Sequence, residues 1–275
     1  MMQHIDLHVH TTASDGSETP TEAVSRAGRL GVSAIAVTDH DTCEGVSEAL
    51  TAGREYGIEV IPGIEVSVDY LGYGVHILGY FVDPTSPAMG RLLDWVIAER
   101  KRRNHLIADA MLADGIPIRI EELKERYPAS VVGRPHFAAA LVELGYAETV
   151  KDAFDRYLNM GCKYFRKRQY IPLQEGLQII RDAGGKPVFA HPFQYRMEEP
   201  MLLTLASTLR DAGAVGMECI YSGYTQEQTD YLKKLAGDMG FCVTGGSDFH
   251  GVRKPQIEMG TPFVPYELLE TLKEV

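Results

Sequence analysis

The chain has 275 residues, of which 45% are hydrophobic and 24% charged, and its formal net charge is −11. This profile is typical of one large globular domain that has room for an insertion, and the negative charge argues against a broad nucleic-acid-binding surface. No apolar run reaches about 18 residues and no basic-then-apolar leader opens the chain, so we expect no membrane span, no secretory signal and a cytoplasmic location. Four widely spaced cysteines, without a Cys-x-x-Cys pair, indicate reduced thiols.

Short apolar strands alternate with helices in the first third of the chain. The sequence predicts strands over 3–9, 33–38, 58–61 and 75–81, and helices over 19–31 and 46–56. Thr19-Pro20-Thr21-Glu22 is a capping box with proline at the first helical position, and Gly57 closes the second helix. Each strand leads into a polar or glycine-marked segment before the next element begins.

The alternation stops at about residue 83 and resumes near residue 171. Between them the sequence predicts only helices, over 88–112, 120–127, 135–144 and 149–158. Helices over 173–183, 201–212 and 227–239 then alternate with strands over 187–190, 215–220 and 241–244. We therefore expect an α/β domain formed by 1–83 and 171–275, interrupted by a helical cap subdomain at 84–170.

The predicted strand ends carry an unusual set of metal-ligand residues. In Asp6-Leu7-His8-Val9-His10, strand alternation places both imidazoles on the face opposite Leu7 and Val9, about 7 Å apart at their Cα atoms. Seven strands in strand–helix alternation imply parallel pairing, and a closed barrel would bring all the strand ends to one place. Eight residues lie at or just after such ends: His8, His10, Asp15, His40, Glu65, His191, Asp248 and His250. His76 lies instead near the start of its predicted strand, so we expect a metal pocket with one irregular member.

These motifs together resemble the PHP family, named for polymerase and histidinol phosphatase. They are Asp6-Leu7-His8-Val9-His10, Ser14-Asp15-Gly16, Thr38-Asp39-His40-Asp41, Gly63-Ile64-Glu65, His76, Ala190-His191-Pro192 and Gly246-Ser247-Asp248-Phe249-His250. The resemblance covers nearly the whole chain in the family's order. It implies a distorted (β/α)7 barrel holding two or three divalent ions, manganese in the first place, with zinc, iron or magnesium as alternatives.

The same resemblance implies three ligand sets. His8, His10 and Asp248 would hold one ion with Glu65; Asp15, His40 and His250 would hold a second; Glu65, His76 and His191 would hold a third. Glu65 is then a bridging carboxylate. Glu65, His191 and Asp248 are the residues that we expect to be catalytic, with His191 acting either as a ligand or as a general acid.

Such ligands suit phosphoester hydrolysis. Clustered divalent ions neutralise the charge of the ester and supply hydroxide at neutral pH. Histidine and carboxylate ligands without thiolate fit manganese, iron or zinc, and the sequence does not distinguish among them. The hypothesis is that a metal-activated hydroxide attacks phosphorus.

Substrate binding is predicted in the insertion. Arg134 and His136, in Gly133-Arg134-Pro135-His136, begin a helix, and an arginine at a helix N-terminus is suited to phosphate. The alternative for Arg134 is an ion pair with a carboxylate of the same subdomain. The segment 163–168 interleaves aromatic and basic residues and predicts a groove for a nucleotide or a short single strand, whereas the basic run 100–103 is equally compatible with a solvated helix face. Tyr221 and Tyr224 either line the pocket or pack within their loop.

The leading hypothesis is a metal-dependent phosphoesterase acting on nucleotides or short oligonucleotides, of the 3′,5′-bisphosphonucleotide phosphatase or 5′-3′ exoribonuclease type. The alternatives are a histidinol-phosphate phosphatase, an amidohydrolase-type C–N hydrolase and a non-catalytic PHP module. The expected partner is a small phosphorylated substrate, a nucleotide or a short single-stranded oligonucleotide, and no membrane. Oligomeric state, metal identity and the choice between monoester and diester stay open.

Overall fold

The computed structural model describes residues 3–127 and 132–275. It divides into two compact units: a barrel unit, formed by the chain up to residue 93 and by 170–275, and a helical unit, formed by 94–169. The helical unit begins inside a long helix that starts in the barrel unit, rather than at residue 84. Among the described helices, none combines the length and apolar character that a membrane crossing requires.

The helices and strands follow one another through both units. They are β1 (His4–Val9), α1 (Pro20–Leu30), β2 (Ala34–Val37), α2 (Val46–Tyr56), β3 (Glu59–Tyr70), β4 (Tyr73–Tyr80), α3 (Pro87–Ala113), α4 (Ile120–Arg126), α5 (Arg134–Glu143), α6 (Val150–Ala153), β5 (Ile171–Pro172), α7 (Leu173–Asp182), β6 (Lys186–Phe189), α8 (Glu199–Asp211), β7 (Gly216–Tyr221), α9 (Gln226–Met239), β8 (Cys242–Gly246), β9 (Val264–Pro265) and α10 (Glu267–Glu274). A single π-helical turn, Phe154–Leu158, continues α6. The predicted helices are therefore found, with ends that differ by one or two residues.

The strands form one sheet that curves into a nearly closed barrel. Their order is β8-β7-β6-β4-β3-β2-β1-β9, and β5 pairs with β3. The segment that follows β8 returns to β1, where the Asp248 amide donates to the His8 carbonyl and the His10 amide donates to the Phe249 carbonyl, both at 2.9 Å. The predicted barrel is confirmed, but the prediction of seven strands is wrong because the two-residue strands β5 and β9 were missed.

The prediction of uniformly parallel strands is also wrong, because β4 runs antiparallel to both β3 and β6. β3 is parallel to β2 as far as Pro62, and from Gly63 it pairs with β4 as a hairpin. The proline and glycine therefore mark the point where β4 is added as a second partner, and they do not end the strand, since Glu65 still pairs with the segment after β2. This reversal explains His76, because in β4 it lies opposite Ser67, two residues beyond Glu65.

Two hydrophobic clusters support the barrel unit, and a third lies within the helical unit. The first draws on nearly every strand and on α10, and it includes Leu7. The second joins the first strands to α1 and α2, and it includes Val9. Leu7 and Val9 pack in different clusters, and the register of β1 against β2 shifts between Asp6 and Val9. The strand ends are consequently fixed from both sides of the sheet.

Candidate metal centre

The structure brings all nine predicted ligands together in the barrel unit, most of them at or just after strand ends, whereas Glu65 and His76 lie within β3 and β4. Their ligand atoms form four overlapping groups, and within each group they lie within 4.8 Å of one another. The groups are His10, Asp15, His40 and His250; His8, Glu65 and His191; His8, His10 and Asp248; and His40, Glu65 and His76. They differ from the expected sets because His191 lies with His8, and His10 joins the group of Asp15.

Glu65 is the centre of this cluster and is only 1% exposed. Its Oε2 lies 3.0 Å from His40 Nδ1, 3.2 Å from His10 Nε2 and 3.5 Å from His8 Nε2. Its Oε1 lies 2.8 Å from His191 Nε2 and 2.9 Å from His76 Nδ1. Burial alone would raise the pKa of Glu65, but the surrounding imidazoles of His40, His76 and His8 hold it well below its usual value. The carboxylate is therefore an anion that is itself withdrawn from solvent.

Two of the candidate ligands adopt backbone conformations that L-residues rarely occupy. His191 has φ 27° and Asp248 has φ 61°. Conformations of this kind cost about 1–3 kcal/mol each and persist only where surrounding contacts enforce them. The strain lies at the ends of β6 and β8, where the chain must turn each side chain into the cluster.

The donor atoms fit divalent metal ions. Six buried atoms of the cluster make no hydrogen bond of acceptable geometry with the residues that the structure describes, although several lie close to a neighbouring carboxylate or imidazole: His10 Nδ1, His40 Nδ1, His76 Nδ1, His191 Nδ1, His250 Nε2 and Glu65 Oε2. Two imidazole nitrogens, His8 Nε2 and His10 Nε2, face each other at 3.1 Å. Unmatched lone pairs are costly in a buried site, whereas neutral imidazoles and carboxylates are common ligands of divalent cations. The cluster is therefore capable of binding metal.

Three buried aspartates that the sequence reasoning passed over fix the loops of the site. Asp39 accepts hydrogen bonds from the amide and hydroxyl of Thr11 and from the Ser14 hydroxyl. Asp41 accepts from the amide and hydroxyl of Ser67. The strand pattern offered a signal, because both flank His40 at a predicted strand end.

Asp6 is the third of these aspartates and is fully buried. Its Oδ1 accepts from the amides of His8 and Ser247, and its Oδ2 accepts from the Ser247 hydroxyl and the Gly260 amide. One carboxylate thus ties β1 to the segment that presents Asp248. Its spacing in Asp-x-His-x-His would have indicated a site role.

The two carboxylate oxygens of Asp248 have different partners. Oδ1 lies 3.3 Å from His10 Nε2, within the cluster. Oδ2 accepts from the Tyr221 hydroxyl at 2.8 Å and from Lys254 Nζ at 2.7 Å. Burial and the neighbouring Asp248 raise the pKa of Tyr221, which keeps that hydroxyl a donor. Tyr221 therefore contacts the site, whereas the Tyr224 hydroxyl accepts from the Phe193 amide.

In the helical unit, Arg134 begins α5. Its Nη1 lies 3.5 Å from the Leu158 carbonyl and its guanidinium lies over the Phe154 ring, and no carboxylate partner is found for it in the described ranges 3–127 and 132–275. His136 Nδ1 accepts from the Gly133 amide at 2.9 Å, so this ring caps the start of the helix. The alternative of an Arg134 ion pair is thus not observed.

Four arginines lie near one another in the helical unit. Burial, together with the positive charges of Arg134, Arg100 and Arg168, lowers the pKa of Arg103 to about 10. Glu99 opposes this shift, so the four arginines are accompanied by a carboxylate. The predicted aromatic surface at 163–168 is wrong at Tyr164, which is buried and donates its hydroxyl to Asp114, since the ring is needed in the core of this unit.

Replacement of Asp6 by asparagine tests the anchoring of the loops. We expect Asp6→Asn to lower the free energy of unfolding by about 3 kcal/mol. Both oxygens of Asp6 accept hydrogen bonds, and in asparagine an NH₂ group replaces one of them, so that it faces N–H or O–H donors that it cannot accept from. Chemical denaturation measures the change. Asp69→Asn is the control, since Asp69 accepts from a single amide, that of Gly72, and one amide oxygen can replace it. Equal stability of the two variants would contradict the anchoring role.

Comparison with known proteins agrees with this geometry. Residues 6–115 match the family described as PHP domain. A 5′-3′ exoribonuclease of Haemophilus influenzae is 38% identical, with 91% of each chain covered, and a 3′,5′-nucleoside bisphosphate phosphatase of Chromobacterium violaceum is 32% identical, covering 90% of this chain and 88% of that protein. A solved structure from Bifidobacterium adolescentis, described as a metal-dependent phosphoesterase, superposes with a TM-score of 0.78 at 30% identity, covering 98% and 95%. The chain therefore belongs to the PHP domain family.

Proposed function

We propose that the protein is a metal-dependent phosphoesterase that hydrolyses phosphate esters of nucleotides or short single-stranded oligonucleotides. The observation that carries this proposal is the cluster of six imidazoles and three carboxylates around the buried Glu65. The names of the relatives from Haemophilus influenzae and Chromobacterium violaceum support the substrate class.

All nine clustered residues are proposed as metal ligands, with Glu65 bridging. Divalent ions bound there would neutralise the charge of the phosphoester and lower the pKa of a water nucleophile. His191 is proposed as a ligand rather than as the general acid, because its Nε2 is directed at Glu65 Oε1. The identity and number of the ions are not part of the proposal, although manganese is the ion with which we would begin.

The exposed members of the cluster indicate where the ester would enter. The side chains of Asp15, His40 and His76 are 56%, 27% and 27% exposed, whereas those of His8 and His10 are buried. Asp15 would therefore lie on the solvent side of the site, where the substrate enters, and His8 and His10 would line its buried side. Lys254, with 37% of its side chain exposed, adds a positive charge next to Asp248.

Arg134 is proposed to bind a phosphate of the substrate, together with His136. The support is the partly buried guanidinium without a carboxylate partner in the described residues, and the three further arginines near it. His136 would contribute through Nε2, since its Nδ1 already accepts from the Gly133 amide. Arginine suits this task because its planar donors match phosphate oxygens.

A substrate panel tests the proposed function. Protein purified without chelator and supplied with manganese is assayed for products from adenosine 3′,5′-bisphosphate, a short 5′-phosphorylated RNA, AMP and histidinol phosphate. We expect turnover of the bisphosphate or the RNA, and its loss on chelation, because the ions are needed to neutralise the ester. Turnover of histidinol phosphate alone would replace the proposal with the histidinol-phosphate phosphatase alternative.

Glu65→Gln tests the centre of the cluster. We expect kcat to fall by about a thousandfold or more and the bound metal to decrease, because the neutral amide removes the buried carboxylate at the centre of the cluster. Elemental analysis and steady-state kinetics measure the two effects. Glu55→Gln, an exposed position on α2, provides the control and is expected to match the wild type. Full turnover by Glu65→Gln would refute the assignment.

Arg134→Ala tests the phosphate contact. We expect KM for a phosphorylated substrate to rise about tenfold, a loss of roughly 1.4 kcal/mol, with a smaller change in kcat, because the contact serves binding. Arg119→Ala removes an exposed arginine of the same unit that lies near Glu122, and it should leave both constants unchanged. If the two variants have the same KM, Arg134 does not bind substrate.

A further inference from the structure

Glu218 is a fully buried acidic residue that has no role in the reaction proposed above. It lies in β7 and its side chain is 0% exposed. Its Oε1 lies 2.9 Å from His8 Nδ1, and its Oε2 accepts from the backbone amide of His191 at 2.8 Å. A single carboxylate therefore contacts two proposed metal ligands that come from the ends of two other strands.

We propose that Glu218 is a positioning residue that fixes the protonation of His8 and the backbone of His191; this inference rests on the proposed function. An acceptor at His8 Nδ1 keeps a proton on that nitrogen, so that Nε2 presents its lone pair to the cluster. His8 Nε2 faces Glu65 Oε2 at 3.5 Å and Asp248 Oδ1 at 3.6 Å. The ring thus has one nitrogen for Glu218 and the other for a metal ion.

The second contact acts on a strained segment. His191 has φ 27° and ψ 62°, in the region that disfavours residues other than glycine. The His191 amide, which donates to Glu218, belongs to this residue, and Pro192 follows at once. The hydrogen bond therefore helps to keep the His191 backbone in the conformation that directs its ring towards Glu65.

A carboxylate suits both tasks, whereas an amide cannot perform them together. Each oxygen of Glu218 accepts one hydrogen bond, from the His8 ring and from the His191 amide. Glutamine has a single oxygen, so Glu218→Gln must turn its N–H group either towards His8 or towards the His191 amide. In the first case His8 has to carry its proton on Nε2, which blocks metal binding there; in the second the His191 amide loses its acceptor.

Two other roles for Glu218 are less consistent with the geometry. As a direct ligand it would have to join one of the clustered groups, and within the described residues none of the four groups includes it. A purely structural role would not explain why both of its hydrogen-bond partners, His8 and His191, are proposed metal ligands. The positioning role accounts for both contacts with one side chain.

The test measures metal binding separately from catalysis. Wild type, Glu218→Gln and Glu59→Gln are stripped of metal, their thermal unfolding is compared, and each is titrated with zinc. Glu59 is the matched control because its carboxylate also has two partners, Tyr266 and Lys273, and it lies in β3 outside the cluster. We expect zinc affinity to fall about tenfold to a hundredfold in Glu218→Gln and to stay at the wild-type value in Glu59→Gln. Unchanged zinc affinity in a folded Glu218→Gln variant would overturn the proposal.

A measurement on the wild type covers the case in which Glu218→Gln does not fold. Nitrogen NMR of the zinc-loaded protein identifies which ring nitrogen of His8 carries the proton. A proton on Nδ1 with zinc on Nε2 is expected, and the reverse arrangement would overturn the role of Glu218. If the wild type binds no metal ion at all, the proposed function fails first, so the two failures are distinguishable.

Discussion

A carboxylate buried among imidazoles is the constraint on which the barrel unit depends. Glu65 is withdrawn from water, and an isolated anion in such a place would cost several kcal/mol. Its five imidazole neighbours offset that cost only if positive charge accompanies them, either as protons or as metal ions. Without a compensating positive charge these contacts leave a buried anion that is costly in free energy. The same contacts therefore favour the binding of cations.

The addition of β4 beside β3 places this carboxylate. β3 pairs with β2 in parallel up to Pro62, and from Gly63 it also forms a hairpin with β4. Glu65 lies just past this point, where the His40 segment pairs with it from one side and His76 approaches from the other. In a barrel of uniformly parallel strands, His76 would not lie beside Glu65. The departure from regular alternation is thus a requirement of the site.

Much of the barrel and eight of the nine candidate ligands were predictable because apolar alternation and strand-end polarity are local signals, whereas His76 was included only because the motifs resemble those of the PHP family. Two-residue strands such as β5 and β9 have no periodicity to detect, and the reversal of β4 depends on pairing that no single segment encodes. Asp6 and Glu218 were missed for a related reason. Their roles follow from hydrogen bonds to Ser247, His8 and His191, and the partners are distant in sequence. Tyr164 shows a different limit of the sequence pattern. An aromatic residue between basic residues can pack in the hydrophobic core, as Tyr164 does, as well as on a ligand-binding surface.

Net charge also proved to be a global signal with little bearing on local binding. The chain carries −11, yet its helical unit holds Arg100, Arg103, Arg134 and Arg168 near one another, and burial together with these charges lowers the pKa of Arg103 to about 10. Like charges held together oppose folding of that unit, and Glu99 offsets part of this cost. Guanidinium groups bind phosphate in a fixed geometry, which is the physical reason for proposing Arg134 as a phosphate contact. Acidic surface elsewhere does not weaken such a cluster greatly, since exposed charges are screened over about 8–10 Å at ordinary ionic strength.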